Sequence, residues 1–208
     1  MKPIVLITGG SRGIGAATAL QAAAGGFAVA VNYASNAGAA EAVVARIQAA
    51  GGTAMAVQAD VADEAQVLAM YRQIDERLGP VTALVNNAGV VDVATRVDQM
   101  DWQRLRRMFD INVLGCFVCT REALLRMSTR HGGPGGAIVN LSSVAARLGG
   151  PGQYVDYAAS KGAIDTFTLG LAKEVATEAE PVEEVIVDDK KTKSVASKDK
   201  PAGKAPLH

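Results

Sequence analysis

Short apolar runs alternate with longer stretches of helical periodicity along most of this chain. Ile4 to Ile7, Phe27 to Val31, Thr53 to Val57, Val81 to Val85 and Ala137 to Leu141 read as strands, being short, largely apolar and rich in β-branched residues. Between them, Gly13 to Ala24, Ala39 to Ala50, Glu64 to Leu78 and Trp102 to Met127 predict helices, and Tyr157 to Ala176 predicts another after the fifth strand. Gly25-Gly26, Gly51-Gly52 and Gly79-Pro80 supply stop signals. Apolar strands alternating with helices imply a parallel sheet buried on both faces. Right-handed crossovers then give an α/β fold, a doubly wound sheet in three α/β/α layers.

The pattern changes after Ala176. Residues 177–208 are mostly Lys, Ala, Ser, Pro, Asp and Glu, and predict a disordered tail, with Val185 to Val187 a candidate for a short edge strand. Residues 1–176 therefore form the expected domain. A chain of 208 residues with 49% apolar content can bury one substantial core. Formal net charge is zero, which gives no bulk electrostatic case for nucleic acid or a membrane surface as partner. No stretch approaches the ~20 apolar residues that span a bilayer, and Lys2 to Ile7 is too short for a signal peptide, so cytoplasmic residence is the expectation. Cys116 and Cys119 form a Cys-x-x-Cys, but Leu114, Phe117, Val118 and Leu124 around them read as helix interior, which favours inert buried thiols over redox chemistry. His131 and His208 are too few and too far apart for a metal site, so none is expected.

Candidate chemistry begins at Thr8-Gly9-Gly10-Ser11-Arg12-Gly13-Ile14-Gly15, between the first strand and the first helix. Glycines permit a tight turn and close backbone approach to a phosphate, while the helix N-terminus offers free N–H groups and a positive dipole end. The placement points to a dinucleotide site. The second strand ends Asn32-Tyr33-Ala34-Ser35-Asn36, with no acidic residue before Glu41 to repel a 2′-phosphate. Arg12 lies in the glycine loop. Together these favour NADP(H) over NAD(H). Tyr157 and Lys161 stand four residues apart, on one face of a helix. An ammonium beside a phenol favours the phenolate, which suits a general acid/base.

These segments resemble the short-chain dehydrogenase/reductase family, from about Pro3 to Ala176. The marks are TGGSRGIG at Thr8 to Gly15, Asp60-Val61, Asn86-Asn87-Ala88-Gly89, Asn112, Ser142-Ser143 and YAASK at Tyr157 to Lys161. The wording is similar to bacterial members of the 3-oxoacyl carrier-protein reductase and glucose dehydrogenase types. The resemblance implies a Rossmann-like fold and an oxidoreductase acting on a small-molecule carbonyl or alcohol. It implies that Gly9, Ser11, Arg12, Gly13, Ile14, Gly15, Asn32 and Tyr33 bind the cofactor. It assigns the adenine to Asp60 and Val61 and the cleft wall to Asn87, Ala88 and Gly89. Asn112 would hold a water in a proton relay through Lys161. Ser143, fourteen residues before Tyr157, would bind the substrate carbonyl, with Ser142 as alternative. Tyr157 would exchange the proton, and Lys161 would also bind the nicotinamide ribose. Hydride addition makes an alkoxide, and two hydroxyl donors suit that developing charge. Each mark also has a plainer reading: Ser142-Ser143 as a strand-to-loop turn, Asn112 as a helix cap or bend, Asp60 as part of a helix N-cap region.

The resemblance stops near Ala176. The family's next strand with a Pro-Gly end, its mobile substrate cover and its final strand have no recognisable counterpart, so the sheet is expected to lack the usual last strands, with β-strand five an edge unless Val185 to Val187 covers it. Homodimer contact through the two long helices is retained in sequence, and tetramer contact through the final strand is not. The alternative to an enzyme is an impaired homologue that only binds nucleotide or serves as a partner subunit.

Overall fold

Ile4–Ile7 (β1) is buried at every position, and Ala28–Tyr33 (β2) at every position but its last. Strands with no polar alternation need cover on both faces, and they receive it. The computed structural model describes residues 2–178 and 182–187. With Thr53–Gln58 (β3), Ala83–Asn86 (β4), Ala137–Ser143 (β5) and Val182–Val187 (β6), the strands form one six-stranded sheet in the order β3-β2-β1-β4-β5-β6. Every pairing is parallel.

Gly13–Ala24 (α1) and Ala37–Ala49 (α2) cover one face, where Val5, Ile7, Val29, Val31, Val43 and Ile47 pack together. Glu64–Arg77 (α3), Trp102–Phe109 (α4), Gly115–Met127 (α5), the short Ala145–Leu148 (α6) and Val155–Glu174 (α7) complete the helices. Met70, Tyr71, Ile74, Leu84, Met127 and Ile138 form the second core, on the opposite face. The Tyr71 hydroxyl is satisfied inside that core by donating to the Cys119 carbonyl at 2.6 Å. The chain reverses direction across the sheet between β1 and β4. In such sheets a crevice opens beyond the carboxyl ends of the strands at that point.

Two elements differ from the sequence reading. The helix expected over Trp102 to Met127 is interrupted by a π-helical turn at Asp110–Leu114. Such single wide turns recur at functional sites, and this one carries Asn112. The second difference is β6. It falls in the segment expected to be an irregular tail, and it is longer than the candidate strand Val185 to Val187. It pairs with β5 from Ile138↔Val182 to Ser143↔Val187, so β5 is not the edge of the sheet. Parallel pairing needs only an extended backbone, and the Val and Ile of this short run favour one. Ser128 donates its hydroxyl to the Glu178 carboxylate and fixes the chain just before this strand. The expected disorder of residues 188–208 lies outside the described residues.

Candidate active site

Thr8, at the end of β1, ties two loops together. Its buried hydroxyl accepts the backbone N–H groups of Asn87 and Ala88, each at 3.0 Å. Asn87 answers with its side-chain amide, which donates to the carbonyls of Thr8 and Gly9 at 2.8 and 3.0 Å. Asn32 closes the other side. Its Oδ1 accepts Gly9 N–H at 3.1 Å, and its Nδ2 donates to the carbonyls of Val57 and Ala59. Asn32 and Asn87 therefore brace the glycine loop with their side chains.

The glycines are required by geometry. Gly9 and Gly13 have φ of +60° and +54°, in the left-handed region. A Cβ at Gly15 would lie 2.5 Å from both Gly9 O and Asn87 Nδ2, so only glycine lets α1 start this close to the loop. No side chain caps the α1 N-terminus. Its first N–H groups and positive dipole end face a groove of about 450 Å³. Gly9, Ser11, Arg12, Gly13 and Ile14 line it at one side. Asn32, Tyr33, Asp60 and Val61 form its far end, and Asn87, Ala88 and Gly89 its near wall. Gly15 lies buried beneath. These features fit a dinucleotide: a groove lined from the glycine loop to Asp60 and Val61, an uncapped helix terminus on it, and close-approach backbone.

Asp60 does not cap α3. Asp63 does, by accepting Gln66 N–H at 3.2 Å, while Asp60 accepts Ala62 N–H in a local turn beside the groove. The sequence reading omitted Ala34, Ser35, Asn36, Arg107 and Ile111, which also line the groove. Proximity of Ala34 to Asn36 to the second strand was a usable signal. Arg107 and Ile111 carried none, because they reach the groove from α4 and the π-helical turn.

A second cavity, of about 620 Å³, shares Ile14, Asn87, Gly89 and Val90 with the groove, so the two form one cleft. Tyr157 and Lys161 line it from α7. Lys161 is 6% exposed, its Nζ donates to the Leu141 carbonyl at 2.6 Å, and it sits 5.8 Å from the centre of the Tyr157 ring. Asn112 is buried and clasps Val90 in both directions, accepting its N–H at 2.8 Å and donating to its carbonyl at 2.9 Å. Its amide also donates to Ser160 Oγ at 3.1 Å. A Cβ at Gly89 would lie 3.4 Å from Asn112 Oδ1 and 3.7 Å from Lys161 Nζ, so this glycine leaves both groups access to the same corner.

The two serines are separated by strand alternation. Ser142 lines the cavity, and its hydroxyl donates to the Asp165 carboxylate on α7. Ser143 is buried, and its hydroxyl accepts Ala145 N–H at 3.1 Å, as in the plainer reading of a strand-to-loop turn. Tyr154, the residue before α7, also lines the cavity. Its ring meets that of Tyr157 edge-on, with centroids 6.0 Å apart.

Below the cleft, Asn86 donates to Asn140 Oδ1 at 2.9 Å and to Thr120 Oγ1 at 3.0 Å, and Asn140 donates to Thr168 Oγ1 at 2.9 Å. This buried ladder joins β4, β5, α5 and α7. To one side, Asp156 sits between Val155 and Tyr157 with its side chain wholly buried against Arg104 at 2.7 Å. Burial works to raise the Asp156 carboxyl, but the hydrogen bond from Arg104 and those from backbone N–H groups, including that of Tyr157, hold it below the usual carboxylate value. Cys116 and Cys119 are both buried in α5. Burial pushes the Cys116 thiol up to about 12, partly offset by the charge of Lys161, and raises Cys119 as well. Thiols held protonated in this way are poor nucleophiles. Among the described residues, no helix is long and apolar enough to cross a membrane, and no three His, Cys, Asp or Glu side chains gather around a metal position.

Comparison with known proteins agrees with this geometry. The short chain dehydrogenase family profile matches residues 3–200. An uncharacterised oxidoreductase of Escherichia coli, YgfF, is 56% identical over 175 residues, covering 84% of this chain and 71% of the relative. A 3-oxoacyl-[acyl-carrier-protein] reductase of Synechocystis is 42% identical over 176 residues, covering 84% of this chain and 68% of that protein. Among solved structures, a blue fluorescent protein from a metagenomic library in complex with NADPH superposes with a TM-score of 0.81 at 36% identity, over 88% of this chain and 73% of the other. With a doubly wound parallel sheet, a glycine loop at the switch point and family-wide similarity along its length, this chain belongs to the short-chain dehydrogenase/reductase family of oxidoreductases.

Proposed function

We propose that this protein interconverts a carbonyl and a secondary alcohol with NADP(H), Tyr157 acting as the acid/base. The observation that carries the reading is the meeting of Lys161 and Asn112 at Gly89, where the dinucleotide groove opens into the second cavity, with Tyr157 on the wall of that cavity. The cofactor, when bound, supplies or takes the hydride. Tyr157 gives its phenolic proton to the alkoxide oxygen in reduction and takes it back in oxidation. Lys161, whose Nζ donates to the Leu141 carbonyl, sets an ammonium near that phenol and is the residue assigned to the nicotinamide ribose. A serine hydroxyl at the end of β5 gives a second donor to the same oxygen. Ser143 is assigned by its spacing from Tyr157 and by its hydroxyl, which accepts from Ala145 N–H; Ser142, the alternative on the cavity wall, would first have to withdraw its proton from Asp165.

NADP(H) is favoured over NAD(H) because Asn32 to Asn36 bring no carboxylate to the end of the groove that would hold the adenosine, and Arg12 borders it. The NADPH complex of the metagenomic relative supports the same preference. The substrate end is largely apolar, with Val90, Val91, Ala94, Tyr154 and Val187 around Tyr157. Association into a homodimer through α5 and α7 is supported by the exposed Leu114, Phe117, Leu125 and Leu169 on those helices and the turn before them.

The test is a fluorescence titration with NADPH and NADH in parallel, then addition of an apolar ketone while cofactor oxidation is followed. Tighter NADPH binding and ketone-dependent oxidation are expected. Binding without oxidation selects the impaired nucleotide-binding homologue instead. Equal or tighter NADH binding sinks the cofactor preference.

A further inference from the structure

We propose that Arg104 and Asp156 are positioning residues that fix the substrate-facing loop and the acid/base Tyr157 to each other. This rests on the reading of Tyr157 given above.

One guanidinium joins three elements. Arg104 projects from α4, and its Nε and Nη2 donate to the two oxygens of Asp156 at 2.7 and 3.3 Å. Its Nη1 donates to the Val93 carbonyl at 2.8 Å. Asp156 is the residue before Tyr157, and its carboxylate also takes a hydrogen bond from Tyr157 N–H. A displacement of Arg104 is thus passed to the backbone of the acid/base through one side chain. The other end of the contact is the loop containing Val90, Val91, Asp92 and Ala94, which lines the cavity opposite Tyr157. That loop is held at Val90 by Asn112, at Val93 by Arg104, and at Thr95 by its N–H donating to the Gln153 carbonyl at 2.7 Å. Gln153 again belongs to the segment leading into α7.

The chemistry of the pair argues against a role in stability alone. A buried ion pair generally adds little stability over an apolar pair of the same size, because both charges lose their water. What it supplies here is geometry. A planar fork meeting a carboxylate with two bonds fixes orientation as well as distance, and lysine cannot reproduce it. Placement of a reacting group tolerates little error: a shift of about 1 Å costs about 100-fold in rate. The substrate loop is exposed and short of apolar anchors, so its distance from Tyr157 depends on these side-chain links.

The variants are Asp156→Asn, which keeps the shape, Arg104→Met, which removes the fork, and Arg104→Lys, which keeps the charge. Two readouts are taken on the full chain. Amide hydrogen exchange without cofactor should accelerate around 93–96 and 155–158 in Arg104→Met and Asp156→Asn, with α1 and β1 unchanged. Steady-state ketone reduction should lose about 100-fold in kcat while NADPH affinity stays within about twofold. Arg104→Lys should recover part of the exchange protection and part of kcat. The proposal is overturned by exchange that is unchanged or accelerated throughout the chain. It is equally overturned by a folded Asp156→Asn protein with wild-type kcat, or by kcat and NADPH affinity falling together. Absence of ketone reduction in the wild type would instead remove the proposed function, and the exchange pattern would still decide whether the pair holds the loop.

Discussion

The two ends of the cleft are built from different materials. At the glycine loop, backbone forms much of the surface: Gly9 and Gly13 line the groove without side chains, Gly15 lets α1 start close beneath them, and Thr8, Asn32 and Asn87 brace the loop with their side chains. At the proposed catalytic corner, side chains carry the site, and each is set by a partner far away in sequence: Lys161 by Leu141, Asn112 by Val90, and Asp156, buried behind Tyr157, by Arg104. A backbone site is robust to most side-chain changes but fails when a Cβ is added. A side-chain site is sensitive to loss of single polar groups. The two ends should therefore break under different substitutions.

The sharpest contrast should come from the serines. Alanine at the serine that stabilises the developing alkoxide should lower kcat by about 100- to 1000-fold, and alanine at the other should act mainly on stability. Kinetics of Ser142→Ala and Ser143→Ala, read beside their thermal midpoints, assign the roles. At the backbone end, Gly15→Ala places a methyl 2.5 Å from Gly9 O and Asn87 Nδ2, and should cost about 1–3 kcal/mol in urea unfolding together with a large loss of NADPH affinity. Asn112→Ala leaves both polar groups of Val90 without their partner. It should cost about 1–3 kcal/mol and loosen the substrate loop with less effect on NADPH binding.

Acid unfolding separates the regions further. The native Asp156 carboxyl is held below its unfolded value of about 3.9. Its contribution is therefore present above that pH and is lost as pH falls through the lowered native value. Asp156→Asn should flatten this acid limb of the stability curve. The smallest expected effect is at the Cys-x-x-Cys: a thiol reagent should leave Cys116 and Cys119 unmodified in the native protein and label both on unfolding.

The same division explains what could be read from the sequence. The β1–β5 strand pattern was legible because parallel strands buried on both faces are written as apolar runs. The glycine loop was legible because positive φ and close approach demand one residue type. Tyr157 and Lys161 were legible because four residues make a helical turn. Arg104 with Asp156, and Asn86 with Asn140 and Thr168, were not, since their partners lie 28 to 54 residues apart and nothing local marks them. A break at Asn112 was legible as a helix cap or bend, but not its form as a π-helical turn at Asp110–Leu114, nor the bond from Val90 to Asn112 across 22 residues. β6 was legible only in its second half, Val185 to Val187. Val182–Val187 carries Glu183 and Glu184 and no clear alternation, and its full length appears only against the register of β5.

In the proposed reaction Tyr157 handles the proton, while the groove residues around the glycine loop hold the cofactor. Tyr157→Phe tests this most directly, with NADPH affinity by titration and ketone-dependent NADPH oxidation measured on one preparation. NADPH affinity should stay within about twofold of the unmodified protein while turnover falls by about 100- to 10,000-fold. Turnover at the unmodified rate in that variant would contradict that role of Tyr157.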